Sequence, residues 1–238
     1  MEVDVDRMIS RADAIERCLL QRLTDHPVLQ RVASLTRTEL VALLLQRRFI
    51  SMIFTPVYDM GIDALSDADA LGLAREIVRE EYPQGRPSHR EDLVDDLMSL
   101  GATRSQVLAC KPTAETIATV NESLELMAEA TTADGDVRVL AMLRLWGEVV
   151  VSVEYGVFWS AMKPLFEASD KASSFYFEHY SHDGCEQLAT ASTRTHSGRL
   201  GVCLRDLLSS GSAVDAFEDV ETRIVDSRLR FYDQFVET

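Results

Sequence analysis

The residues best suited to chemistry stand in FYFEHYSHDGCE, residues 175–186. His179, Asp183 and Glu186 are spaced i, i+4 and i+7, which on a helix places them within about 40° of one another. An imidazole and two carboxylates on one face can hold a metal ion. The same pattern also occurs on solvated helix faces, where i, i+4 polar pairs are common. The aromatic run Phe175, Tyr176 and Phe177 argues for burial, and a metal at this face would need ligands from other elements.

Two further stretches supply ionisable groups. In EEYPQGRPSH, residues 80–89, Glu81 closes one helix and His89 opens the next across a tight turn. Such a turn can bring both side chains to one point, although Glu80, Glu81 and His89 also fit ordinary exposed helix ends. The second stretch is VRVLAMLRLWGEVVVSVEYGVFWSAMKPLFEA, residues 137–168, an apolar run that contains Glu148 and Glu154. A carboxylate buried without a partner is costly, so each needs a cation, a metal or a cage of donors. Six residues apart on a helix, the two diverge by about 120° and cannot face one centre. One then binds metal and the other pairs with an arginine.

The elements that must position these groups all read as helices. Residues 4–23 carry an apolar stripe of Met8, Ile9, Ala12, Ile15, Leu19, Leu20 and Leu23, stopped by Asp25-His26-Pro27. Thr36 with Glu39 fits a capping box opening a long apolar helix that Pro56 would kink. Ser66 to Asp69 caps a third helix, and Ser88 caps a fourth running to Gly101. Further helices span Thr103 to Pro112 and Thr113 to Ala130, with a loop at 131–136. The 137–168 run reads as a buried helix despite its VVVSV core, because of its length and its Leu, Met and Ala content. The helix bearing His179 is expected to run from Ser169-Asp170 to about Ser192. Gly198, Gly201 and SSGS at 209–212 interrupt the next stretch, and Ala213 to Glu237 closes the chain as an amphipathic helix. No strand pair and no repeat is visible. The expected architecture is an all-α bundle of seven to nine helices in a single domain, 1–238.

The net charge of −15 over 238 residues argues against a nucleic-acid partner. Four scattered cysteines, Cys18, Cys110, Cys185 and Cys203, form no CxxC pair and fit free thiols in a reducing compartment. The acidic N-terminal stretch has no signal-peptide pattern, and no run reads as a membrane span. The expectation is a cytoplasmic protein with no membrane partner. Dinucleotide, P-loop and GxSxG signatures are missing. His26 reads as a helix-end residue, and His196 as solvated.

Four fragments in order resemble a family. HPVLQRVASLTRTELVALLLQRRFISMIF, EEYPQGRPSHREDLVDDLMSLGAT, FYFEHYSHD and SRLRFYDQF are similar to the corresponding segments of the heme-oxygenase-like di-iron oxidases and oxygenases, which share the TenA/PqqC-like fold. The resemblance covers nearly the whole chain, and the turn after Glu81 is shorter than the common form. It implies a bundle holding two iron ions, with O2 as co-substrate. Glu81 and His89 stand at the family's first Glu and His, and His179 and Asp183 at its H-x-x-x-D pair. Glu186 stands where the family usually has a third His. The bridging carboxylate falls on the long helix, at Glu148 or, as the alternative, Glu154. The metal ligands implied are therefore Glu81, His89, Glu148, His179, Asp183 and Glu186.

Three function classes follow. The first is a di-iron enzyme that desaturates, cleaves, hydroxylates or N-oxygenates a small molecule, an aliphatic amino acid being the expected substrate. The second is a metal-free enzyme of the TenA or PqqC type, for which Cys185 is poorly placed as a nucleophile. The third is a non-catalytic helical binding protein. The expected partners are a small-molecule substrate and, as an option, a second copy of the chain in a homodimer.

Overall fold

Helix boundaries follow the caps written in the sequence. The computed structural model describes residues 2–131, 135–182 and 186–236, with the side chains of residues 2, 3, 181 and 182 left out of the description. Helix α1 (Glu2–Thr24) ends before His26, whose Nδ1 accepts from the Val28 amide and opens the short α2 (Pro27–Gln30). Thr36 and Glu39 form the expected capping box of α3 (Arg37–Ser51). The chain then turns at Met52–Ile53 before α4 (Phe54–Ala64). The expected kink at Pro56 is thus a break: Pro56 falls in the first turn of α4, where its missing N–H leaves no bond unmade. Arg37–Ala64 is long and apolar enough to cross a membrane, with 28 residues and an 18-residue window of mean hydropathy 1.5. Here it buries Leu40, Leu44, Ile50, Val57 and Tyr58 in the core.

Asp67 caps α5 (Ala68–Glu80), and Ser88 with Glu91 forms the capping box of α6 (His89–Ser99). Thr103 and Thr113 cap α7 (Arg104–Ala109) and α8 (Ala114–Ala130). The long apolar run is helical throughout. It comprises α9 (Asp136–Ala141), a π-helical segment over Met142–Val149, and α10 (Val150–Ala168). Every residue of the π segment is buried, and widened turns of this kind recur at functional sites.

Two expectations fail beyond this point. The helix carrying His179 is only α11 (Tyr176–His182), followed by a 3-10 turn at Leu188–Thr190. The stretch expected to be interrupted at Gly198 and Gly201 is the continuous α12 (His196–Leu207). Gly198 is needed there for space, since a Cβ would lie 2.6 Å from the Ser192 carbonyl oxygen and 2.8 Å from Glu186 Oε1. Helix α13 (Gly211–Asp233) packs against α1 and α8 and completes thirteen α-helices among the described residues. The excess over seven to nine comes from short helices and from periodic stretches that split. No strand occurs among those residues.

The buried apolar side chains form one cluster, with Leu23, Leu44, Phe158, Phe217 and Phe231 at its centre. Each such side chain is worth about 1.5–3 kcal/mol of burial. Through this core runs a fully buried arginine of the π segment. Arg144 hydrogen-bonds Glu16 of α1, the Glu186 carbonyl (2.5 Å) and the Ser197 carbonyl (3.2 Å). Its Nη1 lies 4.0 Å from Glu221 of α13. One guanidinium thus faces two carboxylates. Burial, and then the Glu16 charge, push the Glu221 carboxyl well above its ordinary range, so it holds a proton in the fold.

That assignment has a measurable consequence. A carboxyl whose pKa is raised by folding binds its proton more tightly in the native state. Stability therefore falls as pH rises above the unfolded value of about 4.3. Glu221→Gln keeps the shape and cannot ionise. Its melting temperature should gain on the parent's as pH rises from 5 to 8, and an offset that stays constant over that range would refute a protonated Glu221.

Candidate metal centre

The turn between α5 and α6 folds back on itself. The His89 amide donates to the Glu81 carbonyl (3.2 Å), and His89 Nδ1 donates to Glu81 Oε1 (2.9 Å). Burial lowers the His89 pKa, but the Glu81 hydrogen bond and charge outweigh it, and the net shift is upward. Of the two readings that EEYPQGRPSH allowed, the turn brings Glu81 and His89 to one point. A divalent ion would displace the shared proton, as metals do when they bind His and carboxylate.

His179 comes to the same place from α11. Its ring lies 4.8 Å from that of His89 and 4.2 Å from that of Phe175. Its Nδ1 donates to the Phe175 carbonyl (2.8 Å), which leaves Nε2 with a bare lone pair. Burial first, and then the neighbouring His89, hold its pKa down to about 4, so the ring is neutral at pH 7. One ligand atom each from Glu81, His89 and His179 lies within 4.8 Å of the others. A metal with bonds of about 2.1 Å spans donors up to about 4 Å apart, so sub-ångström movement closes the set. Two imidazoles and a carboxylate suit iron, manganese or zinc.

What brings α11 into place was not visible from the sequence. Asp96, seven residues after His89 on α6, sends a buried carboxylate to the start of α11. It accepts from the Ser173 hydroxyl (2.5 Å) and from the amides of Ser174, Phe175 and Tyr176, each at 3.1 Å. Ser173 in turn accepts from the Phe177 amide. Burial keeps the Asp96 carboxyl above its ordinary range against the pull of these donors. One helix thus carries a ligand and, on the same face, the cap of the helix bearing the next ligand.

The remaining candidates separate. Glu148 is buried beside this site. Tyr58 donates to its Oε1, and its Oε2 lies 3.5 Å from Nδ1 of His196. The other ring nitrogen of His196 lies 3.1 Å from Glu80. His196 is therefore not the solvated residue expected, and Glu80 is not a bare surface charge. Burial pulls the His196 pKa down, but Glu148 outweighs this and sets it above its usual value. The charge on His196 also acts on His179, and that on Glu80 on His89, so the two groups of side chains are electrostatic neighbours.

Glu154 stands outside the Glu81–His89–His179 cluster. Its Oε2 accepts from Arg47 Nε (2.8 Å), and its Oε1 accepts from the Tyr232 hydroxyl (2.7 Å), with Arg228 Nε at 3.3 Å. The divergence expected of the two carboxylates holds, and Glu154 is the one that pairs with arginine. Glu186 also stands apart from the cluster. Glu186 itself is not helical, so the helical i+7 register does not apply to it. Its carboxylate accepts from the Ser192 amide (2.9 Å) and the Thr195 hydroxyl (2.8 Å). Burial raises its pKa, and these donors bring it to a net value below the ordinary range. Asp183 and Cys185 lie outside the described residues.

A cavity of about 120 Å3 opens onto Glu81, His89 and His179. Phe54, Leu93, Trp146, Val151, Tyr155 and Phe175 wall it, and Arg47 and Arg228 also reach it. An internal void of about 150 Å3 accommodates benzene, so the space suits a small molecule.

No family model and no curated protein matches the sequence. Solved structures do match, over nearly the whole chain. A CADD-like protein of unknown function from Nostoc punctiforme PCC 73102 is 15% identical, with TM-score 0.65, covering 94% of this chain and 96% of that one. A TenA homologue from P. horikoshii OT3 is 15% identical, with TM-score 0.63, covering 95% and 97%. A domain of unknown function with a heme oxygenase-like fold from Shewanella denitrificans OS217 is 17% identical, with TM-score 0.60, covering 97% and 90%. The chain therefore has the all-α heme-oxygenase-like fold of the TenA type, as its motifs implied.

Asp96 acts on the centre as a positioning residue, through α11. Asp96→Ala strands four donors and should cost roughly 2–4 kcal/mol in chemical denaturation. It should also weaken Co(II) binding, read by absorbance, at least tenfold. Unchanged Co(II) affinity in a folded Asp96→Ala protein would show that α11 is held by something else.

Proposed function

We propose that the chain is a non-heme di-iron oxidoreductase that uses O2 to oxidise a small organic molecule. The observation that carries this reading is the convergence of Glu81, His89 and His179 at an aromatic-walled cavity. Its fold, shared with heme-oxygenase-like and CADD-like proteins, supports it. Bound iron supplies O2 activation and electron transfer, which no side chain offers.

The chain's own residues do the rest. Glu81, His89 and His179 bind the first ion, with the Phe175 carbonyl fixing the His179 tautomer. Glu148 and His196 bind the second, so that a histidine from α12 serves where the resemblance pointed to Glu186. Glu80 behind Nε2 of His196 and Tyr58 on Glu148 orient that pair. Phe54, Trp146, Tyr155 and Phe175 exclude water from the reacting space. The reading includes an aliphatic amino acid as substrate, which the cavity matches in size, and the cytoplasm as compartment, where Cys18, Cys110 and Cys203 remain free thiols.

A second reading is a metal-free enzyme, favoured by the TenA homologue among the similar structures. In it Glu81 and His89 keep their shared proton and act as an acid–base pair.

Anaerobic Fe(II) titration separates the two. The parent should bind two irons per chain, with the tighter one lost in His89→Ala and His179→Ala. His196→Gln should lose the second, whereas Glu186→Gln should retain both. A parent that binds no iron sinks the di-iron reading, and full loading of His196→Gln sinks the assignment of the second ion.

A further inference from the structure

The cavity holds a buried cation with donors to spare. Arg228 of α13 is 1% exposed. Its Nε sits 3.3 Å from Glu154 Oε1, while Nη1 and Nη2, both buried, have no hydrogen-bond partner among the described residues. The side chain lines the same cavity as Glu81, His89 and His179.

The local charge does not balance. Glu154 is the carboxylate between two buried guanidinium groups, and Arg47 has the better share of it, with Nε and Nη2 each at 2.8 Å. The remaining Arg47 nitrogen donates to Ser51 (3.0 Å). Tyr232 and Tyr155 are neutral, their phenols pushed up by burial. Among Glu154, Arg47 and Arg228 one positive charge is left over, and Arg48 and Arg90 also line the cavity, as does the Glu81 carboxylate. Burying an unpaired charge is expensive unless an anion meets it. The two terminal nitrogens of a guanidinium form a planar fork that matches the two oxygens of a carboxylate.

The anchor and the metal ligands line one cavity. Arg47, which shares Glu154 with Arg228, has its Cζ 5.2 Å from the centroid of Tyr155, whose ring is 6.1 Å from that of His179. A molecule held at Arg228 by one end can therefore present its other end to the metal ligands. The volume of about 120 Å3 admits a short aliphatic or single-ring acid.

We propose that the substrate is a small carboxylic acid, amino acids included, whose carboxylate pairs with Nη1 and Nη2 of Arg228 while its apolar remainder faces His89 and His179. That this ligand is the oxidised substrate rests on the di-iron reading; its binding does not.

The test uses metal-stripped protein, so that no carboxylate can bind through iron. Isothermal titration of the parent with acetate, 4-methylpentanoate, benzoate and leucine, each against its amide, should show at least one of the larger acids binding tenfold or more tightly than its amide. Arg228→Gln should lose that affinity tenfold or more, and Arg228→Lys should recover part of it. The proposal is overturned if none of the acids binds, if acid and amide bind alike, or if a folded Arg228→Gln protein binds the acid as the parent does. Should Arg228→Gln fail to fold, the comparison of acid with amide on the parent decides alone. Acid binding by a parent that takes up no iron would keep this inference and remove the di-iron reading.

Discussion

The candidate centre depends on a single capped helix start. Asp96 gathers one hydroxyl and three amides at the beginning of α11 and sits on the same helix as His89. The seven-position step from His89 to Asp96 is close to two helical turns, so both point the same way. The separation of His89 and His179 is therefore set by one rigid element and one cap. Two loops alone would leave such a geometry loose, and catalytic constellations tolerate little looseness.

A second constraint is the neutralisation of charge along the central helix. Arg144, Glu148 and Glu154 are all buried in the run from Met142 to Ala168. Each is answered from a different element: Arg144 by Glu16 of α1 and carbonyls near α12, Glu148 by Tyr58 and His196, and Glu154 by Arg47 and Arg228. Buried ion pairs add little net stability, because desolvation offsets attraction. They do penalise misplacement heavily, since a shifted helix would strand a charge. In this bundle they set register and direction, and apolar burial supplies the cohesion.

Much of this was legible in the sequence wherever a local rule was enough. The capping box at Thr36, the Ser88 cap, the helical character of VVVSV and the divergence of Glu148 from Glu154 follow from local patterns, whereas spacing left the Glu81–His89 pairing open beside exposed helix ends. The failures need information from distant parts of the chain. Glu186 keeps helical spacing from His179 on paper, but it lies outside any helix, and the Ser192 and Thr195 donors that claim its carboxylate belong to a later loop. His196 sits in a glycine-bearing polar stretch that reads as loose. Gly198 is small there because Ser192 and Glu186 crowd it, a reason no local pattern contains. Asp96 looks like one acid among several on an exposed helix until the partner that lies 77 to 80 residues further on is known.

The position of Arg228 and Tyr232 on α13 also orders events in time. Chains emerge from the ribosome N-terminal end first. When residues 80–182 have been made, Glu81, His89 and His179 can already meet, but Glu154 has only Arg47 beside it. The roof of the cavity, and with it the second guanidinium, arrives about fifty residues later in synthesis, with α13. During that interval the three ligands and Arg47 are present without the guanidinium that α13 brings to the cavity.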